Sequence, residues 1–169
     1  MDVSELLIDG FSRVSEEVHH AVDGLTAEEL AVRLAPDANS IAWLVWHLTR
    51  VQDDHLAAAF AVPQVWLTQG WAERFALPLP ATAIGYGHSS AEVATVTVPD
   101  GALLLDYYDA VHAQTVGLVA TVAAADLDRI VDERWGGVSL GVRLVSVISD
   151  DLQHVGQAAF IRGVLRHEA

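Results

Sequence analysis

Apolar residues recur every three or four positions along four long segments of the chain, a spacing that predicts amphipathic helices. In the first segment Leu7, Phe11 and Val14 fall on one face. The second segment stops before a helix breaker, Pro63. We therefore predict an all-α fold whose four main helices cover about Val3 to Asp23, Ser40 to Ala61, Asp100 to Ala124 and Ser139 to Arg166.

Shorter signals lie between these segments. Thr26 with Glu29, and Ser89 with Glu92, have the spacing of a capping box, so each pair predicts a short helical turn. Residues 63 to 99 are otherwise rich in turn formers and predict a long crossover between the second and third helices. The valine-rich run from residue 93 to 98 could instead form a short strand, and the pattern leaves both readings open.

The length and composition favour one soluble domain spanning residues 1 to 169, large enough to bury roughly 70% of its unfolded surface. Hydrophobic residues make up 52% of the chain, yet no apolar run reaches the ~18 residues of a membrane span. The first five residues are acidic, unlike the basic start of a signal peptide. We expect a cytoplasmic protein.

Charge and cysteine content exclude several classes of function. A net charge of −14 would repel a phosphate backbone, so we expect no nucleic-acid binding. The chain contains no cysteine, which excludes disulfides, thiolate ligands and a cysteine nucleophile. Any thiol chemistry must therefore use a bound cofactor or substrate.

Two polar residues stand out in the fourth helix, which is apolar on nearly every side. Asp150 and His154 are one turn apart, about 40° around the axis, and a carboxylate with an imidazole makes half a metal site. His47 on the second helix is the best third ligand, because its wheel position faces the bundle. The alternative for His47 is a buried histidine that only satisfies a hydrogen bond.

Other side chains could surround this set of three. His55 lies ~12 Å along the second helix from His47, too far to share a metal easily, and is expected to be structural. Arg143 could hold a substrate anion or pair with an acid, and the tryptophans could equally be core residues. A histidine in the crossover could reach the pocket or lie on the surface. The candidates for substrate binding are Trp43, Trp46, His88 and Arg143.

Two motifs together resemble the DinB-like (DinB/YfiT) superfamily, namely Trp43-Leu-Val-Trp-His-Leu-Thr-Arg-Val-Gln-Asp-Asp-His55 and Asp150-Asp-Leu-Gln-His-Val-Gly-Gln157. Within that superfamily the chain looks similar to mycothiol-dependent transferases and maleylpyruvate isomerase. The resemblance implies a four-helix bundle of up-down-down-up type. It also implies a divalent metal, zinc or nickel, at positions that match His47, Asp150 and His154.

A His-Asp-His set leaves zinc with an open position, where a coordinated thiol is held as the reactive thiolate. The leading hypothesis is a metal-dependent thiol S-transferase or isomerase that acts on a small electrophile. Its low-molecular-weight thiol would be mycothiol, as the resemblance implies. The alternative is a non-catalytic bundle that binds metal or forms a homodimer.

Overall fold

The computed structural model describes residues 1 to 167, except for the side chain of Trp135, and most of these residues are helical. The predicted all-α fold with four main helices is confirmed. The eight α-helices of the described residues are α1 (Val3–Val22), α2 (Ala27–Ala31), α3 (Ile41–Phe60), α4 (Val65–Thr68), α5 (Trp71–Phe75), α6 (Ser90–Thr95), α7 (Gly101–Val119) and α8 (Leu140–His167).

Capping side chains determine where the helices begin. The hydroxyl of Ser40 accepts the backbone N–H of Trp43 at the start of α3, at 3.1 Å. Thr26 and Ser89 each form the predicted capping box, at the start of α2 and α6. Since α6 covers residues 90 to 95, the alternative of a strand over residues 93 to 98 is wrong.

The structure departs from the sequence prediction at the end of α7 and within the connector that leads to α8. Helix α7 ends at Val119 and not near Ala124, because the chain tightens there: the Thr121 hydroxyl donates to the carbonyl of Leu118 at 2.7 Å. The connector contains a short antiparallel hairpin of β1 (Ile130–Asp132) and β2 (Val138–Ser139), which the sequence analysis did not anticipate. Two glycines with positive φ, at residues 136 and 137, allow the chain to reverse.

The four long helices pack around a common core. Helix α1 packs against α7 and α8, and α3 packs against the same two helices, most extensively against α8. As a result, every residue of α3 from Ile41 to Asp53 is buried. Within residues 1 to 167, no helix combines the length and the apolar character that a membrane crossing needs.

A buried ion pair ties the crossover to α3. The side chains of Arg50 and Asp53 are fully buried and lie 3.7 Å apart. Asp53 accepts the backbone N–H groups of Val65 and Trp66, at 2.9 and 2.8 Å. It therefore satisfies N–H groups at the start of α4 that have no partner within that helix. This contact fixes the direction in which the crossover leaves α3.

Candidate metal centre

His47, Asp150 and His154 meet where α3 packs against α8. Each offers one ligand atom, and the three atoms lie within 4.8 Å of one another. His47 is buried, whereas the side chains of Asp150 and His154 are 20% and 17% exposed. Ligand atoms of one zinc ion lie about 3 to 4 Å apart when each is about 2 Å from the ion. Small side-chain adjustments would therefore bring all three within reach of a single ion.

A backbone carbonyl sets the orientation of His47. Its Nδ1 is hydrogen-bonded to the carbonyl oxygen of Ile84 in the crossover. Since a carbonyl only accepts, Nδ1 carries the proton and Nε2 keeps a free lone pair. Burial, the largest cause, lowers the pKa of His47 to about 4, so the ring is neutral at physiological pH. Metal-ligating histidines are typically held in this way through their other nitrogen.

The close approach of this carbonyl depends on the next residue, Gly85. Its φ of +103° lies in a region that side chains other than glycine rarely adopt. A Cβ atom at this position would also overlap the ring of His47. Glycine is required here on both counts.

Asp150 orients His154 in a similar way. Nδ1 of His154 donates to the backbone carbonyl of Asp150, one turn earlier, at 2.7 Å, so the lone pair is again on Nε2. Burial alone would lower the pKa of His154, but the nearby carboxylate of Asp150 and the hydrogen bond to its backbone carbonyl outweigh burial and raise it. Burial would likewise raise the pKa of Asp150, but the close approach and the charge of the His154 ring lower it overall. Asp150 is therefore a carboxylate.

The electrostatics of this group fit a divalent cation. Oδ2 of Asp150 is buried and has no hydrogen-bond partner among the described residues. It lies 3.4 Å from Nδ1 of His154, whose proton is already donated to the backbone carbonyl. An unpaired buried carboxylate oxygen is costly, and a metal ion would satisfy it. Two imidazole nitrogens and one carboxylate oxygen form a donor set that suits zinc or nickel.

Aromatic rings enclose His47 on the crossover side. Trp43 stacks on its imidazole, with centroids 4.5 Å apart, and Tyr86 meets it edge-on at 5.3 Å. His88 is held between two tryptophans: Nε1 of Trp43 donates to its Nδ1 at 3.2 Å, and Trp46 stacks on its ring. Trp46 is itself buried. Of the predicted substrate-binding residues, Trp43 and His88 therefore lie at the site, and Trp46 packs against His88.

Tyr86, for which the sequence pattern indicated no role, lies beside the site. Tyr86 is 59% exposed as a residue. Its ring contacts His47 and also stacks near His55, with centroids 6.3 Å apart. Burial, followed by the negative charge of Asp150, raises the pKa of the Tyr86 hydroxyl. Its position between Gly85 and Gly87 was the only sign in the sequence of an unusual backbone here.

Arg143 lies further along the groove between α3 and α8. It forms an ion pair with Asp132 of the hairpin at 3.0 Å and approaches Nδ1 of His55 at 3.4 Å. Of the two roles predicted for Arg143, pairing with an acid is thus the one observed. These residues line a cavity of about 220 Å³ together with Asp54 and Arg134. His55 lies outside the three-residue group, in agreement with its predicted distance from His47.

Comparisons with known proteins identify the family. Residues 11–158 match the family model described as the DinB superfamily. The fold is similar to the crystal structure of a conserved protein from Enterococcus faecalis, with 34% sequence identity, a TM-score of 0.89 and coverage of 96% of each chain. No curated protein matches the sequence significantly. The family model covers most of the chain, and the protein belongs to the DinB superfamily.

Proposed function

We propose that the protein is a metal-dependent thiol S-transferase or isomerase. The observation that carries the proposal is the group formed by His47, Asp150 and His154, in which three ligand atoms are close together and one carboxylate oxygen lacks a partner. Three protein ligands leave one position of a tetrahedral ion open, as in catalytic zinc sites. Membership of the DinB superfamily, which often binds metal, supports this reading.

The thiol must come from outside the chain, because the protein has no cysteine. A divalent metal, zinc or alternatively nickel, would supply Lewis acidity that keeps a coordinated thiol in its thiolate form. The resemblance to mycothiol-dependent enzymes makes mycothiol the first candidate. Mycothiol carries no carboxylate, so a chain with a net charge of −14 would not repel it.

The protein's own residues orient the reacting groups. Hydrogen bonds from Nδ1 of His47 and of His154 to backbone carbonyls hold both rings with Nε2 free to bind a ligand. Tyr86 lies over the same site and stays protonated at neutral pH, because the ordinary tyrosine pKa is about 10 and burial raises it further. Its hydroxyl can therefore donate a hydrogen bond to an electrophile that gains negative charge during thiol addition.

Metal content and thiol reactivity test the proposal. Purified protein should retain a divalent metal and accelerate the reaction of mycothiol with members of a panel of small electrophiles. A chelator should abolish the activity, and added zinc should restore it. Metal-loaded protein that neither binds mycothiol nor changes the rate with any electrophile would contradict the proposal. That result would favour a non-catalytic metal-binding module.

A further inference from the structure

The outward face of α8 differs from an ordinary solvent-facing helix surface because it carries no charged residue. From Val142 to Gly163 its exposed positions are apolar, Ser, Gln or Gly. Four large apolar side chains on this face are between 47% and 67% exposed: Val142, Val145, Leu152 and Phe160. The face is roughly 33 Å long, at 1.5 Å per residue.

Between Val142 and Gly163 the charged side chains of α8 turn towards the protein instead. Arg143 pairs with Asp132, and Arg162 donates to the carbonyl of Asp23 at 2.7 Å. Asp151 is completely buried. A helix that faces water normally shows the reverse arrangement, with charges outside and apolar residues inside. A long uncharged and partly apolar face therefore indicates a surface that is covered in the working protein.

The shape of the face suits another helix. Ser149, Gly156 and Gly163 are seven residues apart and leave shallow positions every two turns, with Leu152 and Phe160 projecting between them. A depression of about 570 Å³ lies next to Phe160 and Gly156, and another of about 430 Å³ lies next to Leu152. Projections and depressions thus alternate along one face.

We propose that this face of α8 is the surface through which two copies of the chain associate. Two copies that each carry a net charge of −14 repel one another, and this repulsion is weakest where both present an uncharged face. A two-fold interface uses the same patch on both subunits, so the patch must complement itself. The projecting side chains of one copy can fill the depressions of the other. The surface is independent of the proposed thiol chemistry.

A membrane surface fits the observations less well than a second copy does. Amphipathic helices that lie on membranes usually carry Lys and Arg beside their apolar face. In α8, Arg143 and Arg162 contact the protein, and the acidic chain would be repelled by anionic lipids.

Sedimentation of the full chain tests the proposal. The wild type should sediment with twice the monomer mass of 18.2 kDa. Leu152→Glu should give monomers that remain helical by circular dichroism, because it places a carboxylate in the interface. Leu67→Glu changes a leucine of similar exposure on α4 and should leave the dimer intact. A wild type that is monomeric at every concentration would overturn the proposal, as would a Leu152→Glu variant that stays dimeric.

Cross-linking provides a second, independent measurement, since the chain has no cysteine of its own. Gly156→Cys should form a disulfide-linked dimer under mild oxidation. Gly117→Cys is the matched control: both glycines are exposed on helices, and a Cβ at either meets no atom within 4 Å. Equal cross-linking of the two variants would refute the α8 interface. Binding of monomeric wild type to phosphatidylcholine vesicles would also refute it and would identify a membrane as the occupant.

Discussion

The backbone at Gly85 lies directly against the imidazole ring of His47, with no room for a β-carbon between them. This contact brings the carbonyl of Ile84 to Nδ1 of the same ring. The crossover therefore forms one wall of the candidate metal centre, although 37 positions separate His47 from Ile84 in the sequence.

Gly85→Ala should weaken metal binding by about 10- to 100-fold, the usual effect of disturbing a residue that orients a ligand. The added methyl group would push the carbonyl and the ring apart. Gly87→Ala is the control, because Gly87 also has a positive φ, +72°, but a Cβ there meets nothing within 4 Å. Both variants should lose roughly 1 to 3 kcal/mol of stability through backbone strain. Equal metal affinities in a chelator competition would contradict a specific role for Gly85.

His47→Ala and Asp150→Ala should each lose metal while remaining folded. The core of a chain this long does not depend on a metal for its stability. Asp151→Asn should retain metal, because Asp151 lies outside the three-residue group. Elemental analysis after dialysis, with circular dichroism as the folding check, measures both effects. If only the Asp151 variant lost metal, the carboxylate ligand would be Asp151 and not Asp150.

The contribution of His47 to the stability of the metal-free protein should fall as the pH is lowered from about 6.5 to about 4. His47 has a folded pKa of about 4, below its usual value of 6.5, so the unfolded chain binds the extra proton in this range. The contribution of His47 is fully present above pH 6.5, and the loss of stability amounts to about 3 kcal/mol by pH 4, at about 1.36 kcal/mol for each pKa unit. In urea unfolding, His47→Asn should lose about 3 kcal/mol less stability than the wild type when the pH is lowered across this range. The exposed control His20→Asn should behave as the wild type does.

Asp151→Asn should stabilise the protein at pH 8. Asp151 is completely buried, and neither of its carboxyl oxygens has a partner among the described residues. Burial, followed by the charge of Asp150, raises the pKa of Asp151 well above its usual value. The folded state thus keeps a proton that the unfolded chain releases above about pH 4, and stability falls as the pH rises.

The expected gain for Asp151→Asn is about 1.4 kcal/mol for each unit by which the pKa of Asp151 is raised, because asparagine stays neutral in the folded and unfolded states alike. Thermal unfolding should show a rise of about 2 to 4 °C for each kcal/mol. The exposed Asp128→Asn should change little. A melting temperature for Asp151→Asn that is below that of the wild type at pH 8 would show that the carboxylate has a partner in solution.

Tyr86→Phe should lower kcat for thiol addition and leave metal content unchanged. The variant keeps the ring that contacts His47 and removes only the hydroxyl. A rate equal to that of the wild type with every active electrophile would exclude a role for the hydroxyl. Tyr86→Ala, which removes the ring as well, should in addition raise KM.

Local sequence signals were enough to predict the long helices and two thirds of the candidate site. Helical periodicity and side-chain caps act within a few residues, and Asp150 and His154 are one turn apart on a single helix. The wheel position of His47 made it the best third ligand, and the family resemblance strengthened this assignment, because helix packing itself is not local. The carbonyl of Ile84 and the buried environment of Asp151 had no local signal and could not be predicted. The β1–β2 hairpin was missed because its strands have only three and two residues.

Side chains of α3 form hydrogen bonds with backbone carbonyls of the crossover, as the backbone of a neighbouring strand would in a β-sheet. Arg50 donates to the carbonyl of Ala83 at 3.2 Å, and His47 donates to the carbonyl of the next residue, Ile84. A ligand on Nε2 of His47 fixes the proton on Nδ1 and so favours the second of these bonds. This coupling is reciprocal. If metal binding stabilises the ordered crossover by some free energy, the ordered crossover strengthens metal binding by the same free energy. Amide hydrogen exchange near Ile84 should therefore slow as the site is filled.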